Sequence, residues 1–406
     1  MNLLSRRAGS VKAAVVTTSL VVVFMCCVDR QENAVNWDVH EREELSPLSK
    51  DSKKLQTRDI VTPRLPDWGE SPGVAGRGTW VPHLCPRYGQ RGQRSRLEVS
   101  SRDFEAHLKL TWTPPDEGTI FFTQTSCSTF LSAREACAVE SAAHHHPQRL
   151  VLVLMTAPAV NQTHPLMQVL SGLRSVRLAW LDLDEVFSEE PLRTWHRDRV
   201  WVMGEDRVAW VVSDAARVEV LRRYGGTYLD LDFITLRALP RSTNWLARIH
   251  VNLVNGGILS FSSGHPFLQA VVADIPSVFD PGMCCSIGPD LITQHLHRRC
   301  PDNVTIPASV TPDQFEICGD ITVWPTKLFY PIPYGYPQFR TESIFTEGMG
   351  IGAAFFSSTK AVSLHLTHSL THNTAVSVAG DSILKEAAVR NCPRVVEALK
   401  THNMDL

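Results

Sequence analysis

The sequence predicts an α/β fold, a mostly parallel sheet with helices on both faces, carried behind an N-terminal membrane-spanning segment. Strand-like runs recur at 120–124, 149–155, 176–181, 227–232, 257–261 and 321–324. Helical patterns at 131–143, 213–224, 267–279 and 382–400 separate several of them. Helices layered on a parallel sheet require such alternation, and ligands in these sheets sit beyond the carboxyl ends of the strands. The 406 residues are 43% hydrophobic and 20% charged, enough to bury a sizeable core. A net charge of −2, with no basic stripe interleaved with aromatics, gives no electrostatic support for nucleic-acid binding.

At the N-terminus, Arg6, Arg7 and Lys12 precede residues 13–28, which carry no charge, and Asp29 follows. A spanning helix usually needs ~20 residues, but a thin early-secretory bilayer and snorkelling by Lys12 accommodate the shortfall. The positive flank holds residues 1–12 in the cytosol. No small-x-small cleavage site is evident at 25–28, so an uncleaved type II signal anchor is preferred to a cleaved signal peptide. Residues 29–117 are polar, aperiodic and broken by Pro47, Pro63, Pro66, Pro72, Gly73, Gly76 and Gly78, and read as a luminal stem. The catalytic domain is then 118–406. Ten cysteines fit a secretory route. With Cys26 and Cys27 in the anchor, eight remain, and their 105 pairings leave connectivity open; Cys300 with Cys318 closes a short loop and is the preferred bridge. No C-x-x-C pair suggests zinc, and Asn161 and Asn303 begin glycosylation sequons.

The segment 213–232 reads SDAARVEVLRRYGGTYLDLD. Ser213 suits an N-cap and Asp214 a first turn. Asp214 and Arg217, three residues apart, share one helix face. Gly225 and Gly226 supply a left-handed stop. In the strand that follows, a period of two sets Tyr228, Asp230 and Asp232 on one face and Leu229, Leu231 and Phe233 on the other. Two acids in one small space, with no lysine or arginine between Arg223 and Arg237, call for a cation. Carboxylate oxygens favour Mg2+ or Mn2+, which keep positions open for a diphosphate. The string L-D-L-D also occurs at 181–184, but Asp182 and Asp184 lack the preceding S-D-x-x-R helix and glycine stop and read as a solvated strand end. His144, His145 and His146 before Pro147 read as a solvated helix end. His365, in an apolar run, reads as a packed core residue or as a ligand of the metal or diphosphate. Asn255, Gly256 and Gly257 open a strand with little bulk, either a turn or a place where an acceptor meets the backbone.

These blocks resemble the alpha-1,4-glycosyltransferase family, Golgi enzymes acting on glycolipids. The likeness runs from about 120 to 393 through FFTQTS (121–126), CAVESAA (137–143), VLVLM (151–155), the 213–233 segment, VNGGILSF (254–261), IGPDLIT (287–293), FYPIP (329–333) and CPR (392–394). A more distant likeness, in S-D-x-x-R and G-G-x-Y-x-D-x-D, is to the clostridial glucosylating toxins. The resemblance implies a GT-A nucleotide-sugar fold in a Golgi type II membrane protein. It implies transfer, with retention, of galactose or N-acetylgalactosamine from UDP-galactose or UDP-N-acetylgalactosamine in alpha-1,4 linkage to a glycosphingolipid. Residue by residue, it sets Asp214 and Arg217 on the donor sugar and diphosphate and Tyr228 by the nucleotide. Asp230 falls on ribose or sugar hydroxyls and, through water, the Mn2+ or Mg2+ ion that Asp232 ligates directly. Asn255 and Gly256 fall near the acceptor. Two departures stand out. Gln124 replaces the glutamate of F-F-x-E-T-S, and the run 362–368, VSLHLTH, keeps the histidine of A-V-H-x-W-N but loses its tryptophan and asparagine. A degenerate relative that binds nucleotide-sugar or glycan with weak turnover is therefore the alternative. A metal-dependent phosphohydrolase is a third reading, disfavoured because further Asp and His clusters are missing.

Overall fold

The computed structural model describes Cys85 and residues 118–406, except 158–159, 199–200, 202–204, 251, 282, 284–285, 302–314 and 333–341. The anchor, the stem, Asn303, Cys284 and Cys285 lie outside the described residues. Among the described residues no helix is long and apolar enough to cross a membrane.

Among the described residues, eight strands form one sheet: β1 (Ile120–Gln124), β2 (Val151–Met155), β3 (Val176–Trp180), β4 (Gly226–Leu229), β6 (Trp245–His250), β7 (Leu253–Phe261), β8 (Glu316–Cys318) and β9 (Ile321–Trp324). Their spatial order is β3-β2-β1-β4-β7-β6-β9-β8. From β3 to β4 every pairing is parallel, but β7 runs antiparallel to both β4 and β6, and β8 antiparallel to β9. With β6 and β9 also parallel, four of these seven pairings are parallel, so the sheet is mixed with a parallel majority. A separate antiparallel ladder joins β5 (Phe233–Thr235) to β10 (Ser363–His365). Three-residue strands such as β5, β8 and β10 are too short for alternation to show in sequence.

Helices cover both faces. Residues of β1 alternate between two cores: Ile120 and Phe122 pack with Val151 and Val153 on one side, and Phe121 packs with Leu152 and Leu154 on the other. A strand buried on both faces reads as a continuous apolar run, as IFF and VLVLM do. On the first face lies α1 (Ala133–His145), opened by a capping box between Ser132 and Glu135. On the other lies α2 (Glu205–Tyr224) with α3 (Pro266–Val278) and α4 (Pro289–Arg299). The helix α2 begins eight residues before Ser213, so Ser213 is interior and not an N-cap. The predicted helix 382–400 is two, α5 (Ile383–Asn391) and α6 (Pro393–Thr401), because Pro393 has no N–H to continue α5 and restarts the chain as a first-turn residue.

Among the described residues, disulfides join Cys85 to Cys127, Cys137 to Cys392, and Cys300 to Cys318, the last as expected from its short loop. The helix stop is also as expected: Gly225 and Gly226 have φ of +69° and +101°. Side chains there would in addition meet backbone, at 2.7 Å from Ser263 N and 2.6 Å from Thr119 O. This turn feeds α2 straight into the middle of the sheet, between β1 and β7, and so fixes where the next residues emerge.

Candidate functional site

The strand β4 ends at Leu229, and residues 230–232 form a turn. Asp230 N still donates to Gly257 O at 2.8 Å, and Phe233 N donates back to Asp230 O at 3.1 Å. Asp230 and Asp232 therefore flank a turn instead of sitting two apart on one strand face. Glycine in β7 leaves room for the Asp230 carboxylate at this turn: a Cβ on Gly257 would lie 2.7 Å from Asp230 Oδ2. Tyr228 and Leu229 do keep opposite faces, in the two cores.

Arg217 reaches across from α2 to bind these acids. Its Nη2 lies 3.2 Å from Asp214 Oδ1 and 3.1 Å from Asp230 Oδ1, and its Nη1 donates to Asp230 Oδ2 at 3.3 Å. It also donates to Ser213 O at 3.2 Å and to Ser213 Oγ at 2.9 Å, and its guanidinium lies 5.0 Å from the centre of the Tyr228 ring. The cation that the two acids call for is thus partly supplied by the protein. Burial disfavours the charge on Arg217, but Asp230 and its other anionic neighbours outweigh this and raise its pKa. Asp214 is pushed up to about 6 by burial, against the pull of Arg217, with Asp230 and Asp290 adding to the rise. Burial likewise raises Asp230.

A hydrogen-bonded chain holds Asp230 from behind. The fully buried Tyr228 donates its hydroxyl to Asp230 Oδ1 at 2.8 Å. Thr123 Oγ1 lies 2.8 Å from that hydroxyl and 3.1 Å from Ser213 Oγ. Since Ser213 accepts from Arg217 and Tyr228 has one proton to give, the protons run from Arg217 through Ser213 and Thr123 to Tyr228 and Asp230. Tyr228 therefore meets the acid and not open surface. Sequence reading missed Thr123; its place in FFTQTS was the available signal.

Asp232 is held differently. Its Oδ2 accepts from the backbone N of His368 at 2.9 Å and lies 3.2 Å from His365 Nε2. His365 stacks on Phe233 with ring centres 4.5 Å apart and meets Tyr330 edge-on at 5.3 Å, so it is both packed and engaged with the acid. Burial opposes the charge on each partner, yet their mutual attraction wins. Asp232 falls to about 2, and His365 is raised. The other oxygen, Asp232 Oδ1, is buried and has no hydrogen-bond partner. A buried carboxylate oxygen without a partner is costly, and a bound cation would satisfy it. Among the described residues no three His, Cys, Asp or Glu side chains form a ready-made metal cage.

Glycines make the room. A Cβ on Gly288 would sit 2.5 Å from Asp214 Oδ2, and one on Gly256 would lie 3.4 Å from Arg217 Nη1. Asn255 does not open the strand but lies inside β7, where its Oδ1 accepts from Gly257 N at 3.0 Å. Gly257→Ala is expected to displace Asp230 and lower turnover by about 10²-fold, the cost of misplacing a reacting group by ~1 Å, while destabilising by about 1–3 kcal/mol. Steady-state assay beside thermal unfolding checks this; unchanged turnover would refute it.

Two family models match the chain: a glycosyltransferase sugar-binding region containing the DXD motif over residues 132–251, and the alpha 1,4-glycosyltransferase conserved region over 260–399. Lactosylceramide 4-alpha-galactosyltransferase of Gorilla gorilla gorilla is 32% identical over 292 residues, 71% of this chain and 85% of the relative. The chain belongs to the alpha-1,4-glycosyltransferase family. It is accordingly a hexosyltransferase of alpha-1,4 specificity. Another family member, the human alpha-1,4-N-acetylglucosaminyltransferase, is 27% identical over 65% of this chain and 75% of its own length. Among solved structures, PaToxG glycosyltransferase matches 46% of this chain and 70% of its own, at 16% identity and a TM-score of 0.35. The galactosyltransferase LgtC matches 43% and 69%, also at 16% identity, with a TM-score of 0.27.

One departure from the family pattern, at position 124, has a local explanation. Gln124 is buried and donates its amide to Glu135 Oε1 at 2.9 Å, while its Oε1 accepts from Ser126 N at 2.7 Å and Ser126 Oγ at 2.8 Å. A glutamate at 124 would face Glu135 with no proton to share, so the amide fits this pocket. Asp182, in the second L-D-L-D string, caps the short helix Leu183–Val186 through Asp184 N and Glu185 N, and is structural. Of the three histidines, only His144 is exposed; His146 is buried, accepts from Leu239 N at 2.9 Å, and is pushed down to about 4 by burial. Asn161 stands in an open loop, its Oδ1 accepting from Thr163 Oγ1 at 2.8 Å. A cavity of about 670 Å³ lined by Glu140, Arg149, Arg174 and Arg394 includes none of the acids above.

Proposed function

We propose that this family member transfers galactose or N-acetylgalactosamine from the UDP-sugar to a glycosphingolipid, with retention at the transferred carbon, as a Golgi type II membrane protein with the GT-A fold. The observation that carries the reading is the buried cluster of Asp214, Arg217, Asp230, Asp232 and His365, ending on an unpartnered oxygen of Asp232. Three acids stand against one guanidinium and one imidazole, so the set is short of positive charge. Asp232 Oδ1, with Asp230 beside it, would hold Mn2+ or Mg2+, while His365 fixes the other oxygen of Asp232. Once bound, that ion would stabilise charge on the departing UDP.

The roles of the chain's own groups follow from their engagement. Arg217 has most of its N–H groups committed to Ser213, Asp214 and Asp230, so it orders the acids and keeps them ionised while adding positive potential near the diphosphate. Asp230 is the most open acid, its side chain 27% exposed against 12% for Asp214 and 15% for Asp232, and takes the donor's hydroxyls. Asn255 and Gly256 border the acceptor. In this reading the bond from the anomeric carbon to UDP breaks as the bond to the acceptor oxygen forms on the same face. The acceptor proton leaves on the departing phosphate.

Full-length protein in detergent, given a panel of UDP-sugars and glycolipids with Mn2+, should release UDP and form an α-linked product readable by NMR. Asp232→Asn should lower kcat/KM by about 10²-fold, the size of one lost electrostatic contact in a site of this type. Equal turnover in chelator, or an unaffected Asp232→Asn, would refute the proposal. Tight UDP-sugar binding without turnover would instead favour a degenerate binding protein.

A further inference from the structure

The run from 365 to 372 holds three histidines; the ring of His365 meets Asp232, and His368 meets it through its backbone N. His368–Thr371 is a single helical turn, and His372 N donates to His368 O at 3.0 Å, so the helical path continues through His372. His368 and His372 are therefore an i, i+4 pair on one face. Their rings lie 5.7 Å apart at 47°, and both residues are exposed. His372 Nδ1 lies 3.3 Å from His368 O. A carbonyl only accepts, so the ring proton is on Nδ1 and the lone pair is on the outward Nε2. Metal-ligating histidines are held in this way, with one ring N–H on a backbone carbonyl and the other nitrogen free for the ion. The pair is also anchored at the acid site, because His368 N is the donor to Asp232 Oδ2. At 368 this chain has histidine where the family pattern it resembles has asparagine.

We propose that His368 and His372 form a second metal site, for a borderline transition-metal ion of the Zn2+, Ni2+ or Cu2+ kind, on the rim of the sugar-transfer site. Two imidazoles supply the protein ligands and water completes the shell. Imidazole nitrogen favours these ions over Mn2+ and Mg2+, which the carboxylates prefer, so the two sites select different metals. An ion at His368 and His372 sets two positive charges beside Asp232 and inhibits transfer.

The test is calorimetric titration of chelator-stripped, full-length protein with Zn2+, using His372→Gln, His368→Asn and Asp232→Asn. The site predicts that each histidine variant weakens Zn2+ binding by about 10-fold or more, that Asp232→Asn keeps it, and that His372→Gln retains Mn2+-supported turnover while losing inhibition by Zn2+. Binding in both histidine variants within about twofold of the parent would overturn it, as would loss of the Zn2+ signal in Asp232→Asn alone, which would send the ion to the acids. Absence of Zn2+ binding by the parent would overturn it too. Because His372 lies outside the transfer machinery, none of these results depends on which sugar is transferred.

Discussion

Arg217→Met is expected to lower turnover by about 10²–10³-fold and to destabilise the domain by about 3–5 kcal/mol at neutral pH, the cost of leaving buried charges without their partner. Methionine fills much the same volume, so the loss isolates the guanidinium. Arg217→Lys keeps a charge but not the fork that spans Asp214, Asp230 and Ser213, and should recover only part of either effect. The deficit should depend on pH. Asp214 sits at about 6 in the fold against an ordinary 3.8. A carboxyl raised in the native state binds more protons there than in the unfolded chain, so stability falls as pH rises from about 4 to about 6, by about 3 kcal/mol for that group. Without Arg217 nothing pulls Asp214 down, its window extends upward, and the variant loses more at pH 8 than at pH 5. Urea unfolding at both values measures this, and a deficit equal at the two would contradict the shared ion cluster.

Much of this site is written locally. Asp214 and Arg217 are one helical step apart, and Gly225, Gly226, Asp230 and Asp232 follow at fixed spacing, so the residues themselves could be chosen by pattern. Their mutual geometry could not. Ser213 looks like an N-cap because serine before an acid commonly is one, yet the residues before it continue the helix and turn its hydroxyl toward Thr123 and Tyr228. Gly257 on another strand leaves space for the Asp230 carboxylate, and Gly288 does the same for Asp214. Those glycines carry no chemical signature of their own. The cysteines divide in the same way. A loop closed over 18 residues could be guessed at Cys300 and Cys318, while one over 255 residues could not.

That long bridge carries the second large effect. Cys137→Ala with Cys392→Ala is expected to reduce unfolding stability by about 5 kcal/mol, since closing a loop of this length removes that much chain entropy from the unfolded state. The two cysteines are fully buried between α1 and the junction of α5 with α6, where packing holds the bridge in place. Noncovalent contacts across the same seam limit the loss. Glu140 on α1 accepts from Arg394 N at 3.0 Å and Val395 N at 2.8 Å, capping α6, and Arg134 donates to Thr371 O at 2.7 Å. The seam also reaches the site. On α1, Ser141 Oγ accepts from Thr235 N in β5, β5 pairs with β10, and β10 ends at His365, which faces Asp232. Partial loosening should therefore weaken catalysis before the sheet unfolds. Denaturant unfolding of the double variant, followed in parallel by activity and circular dichroism, should show activity failing at the lower concentration. Coincident midpoints would mean that the clasp and the acid cluster belong to one cooperative unit, and a midpoint equal to the parent's would mean that the noncovalent contacts alone close the chain.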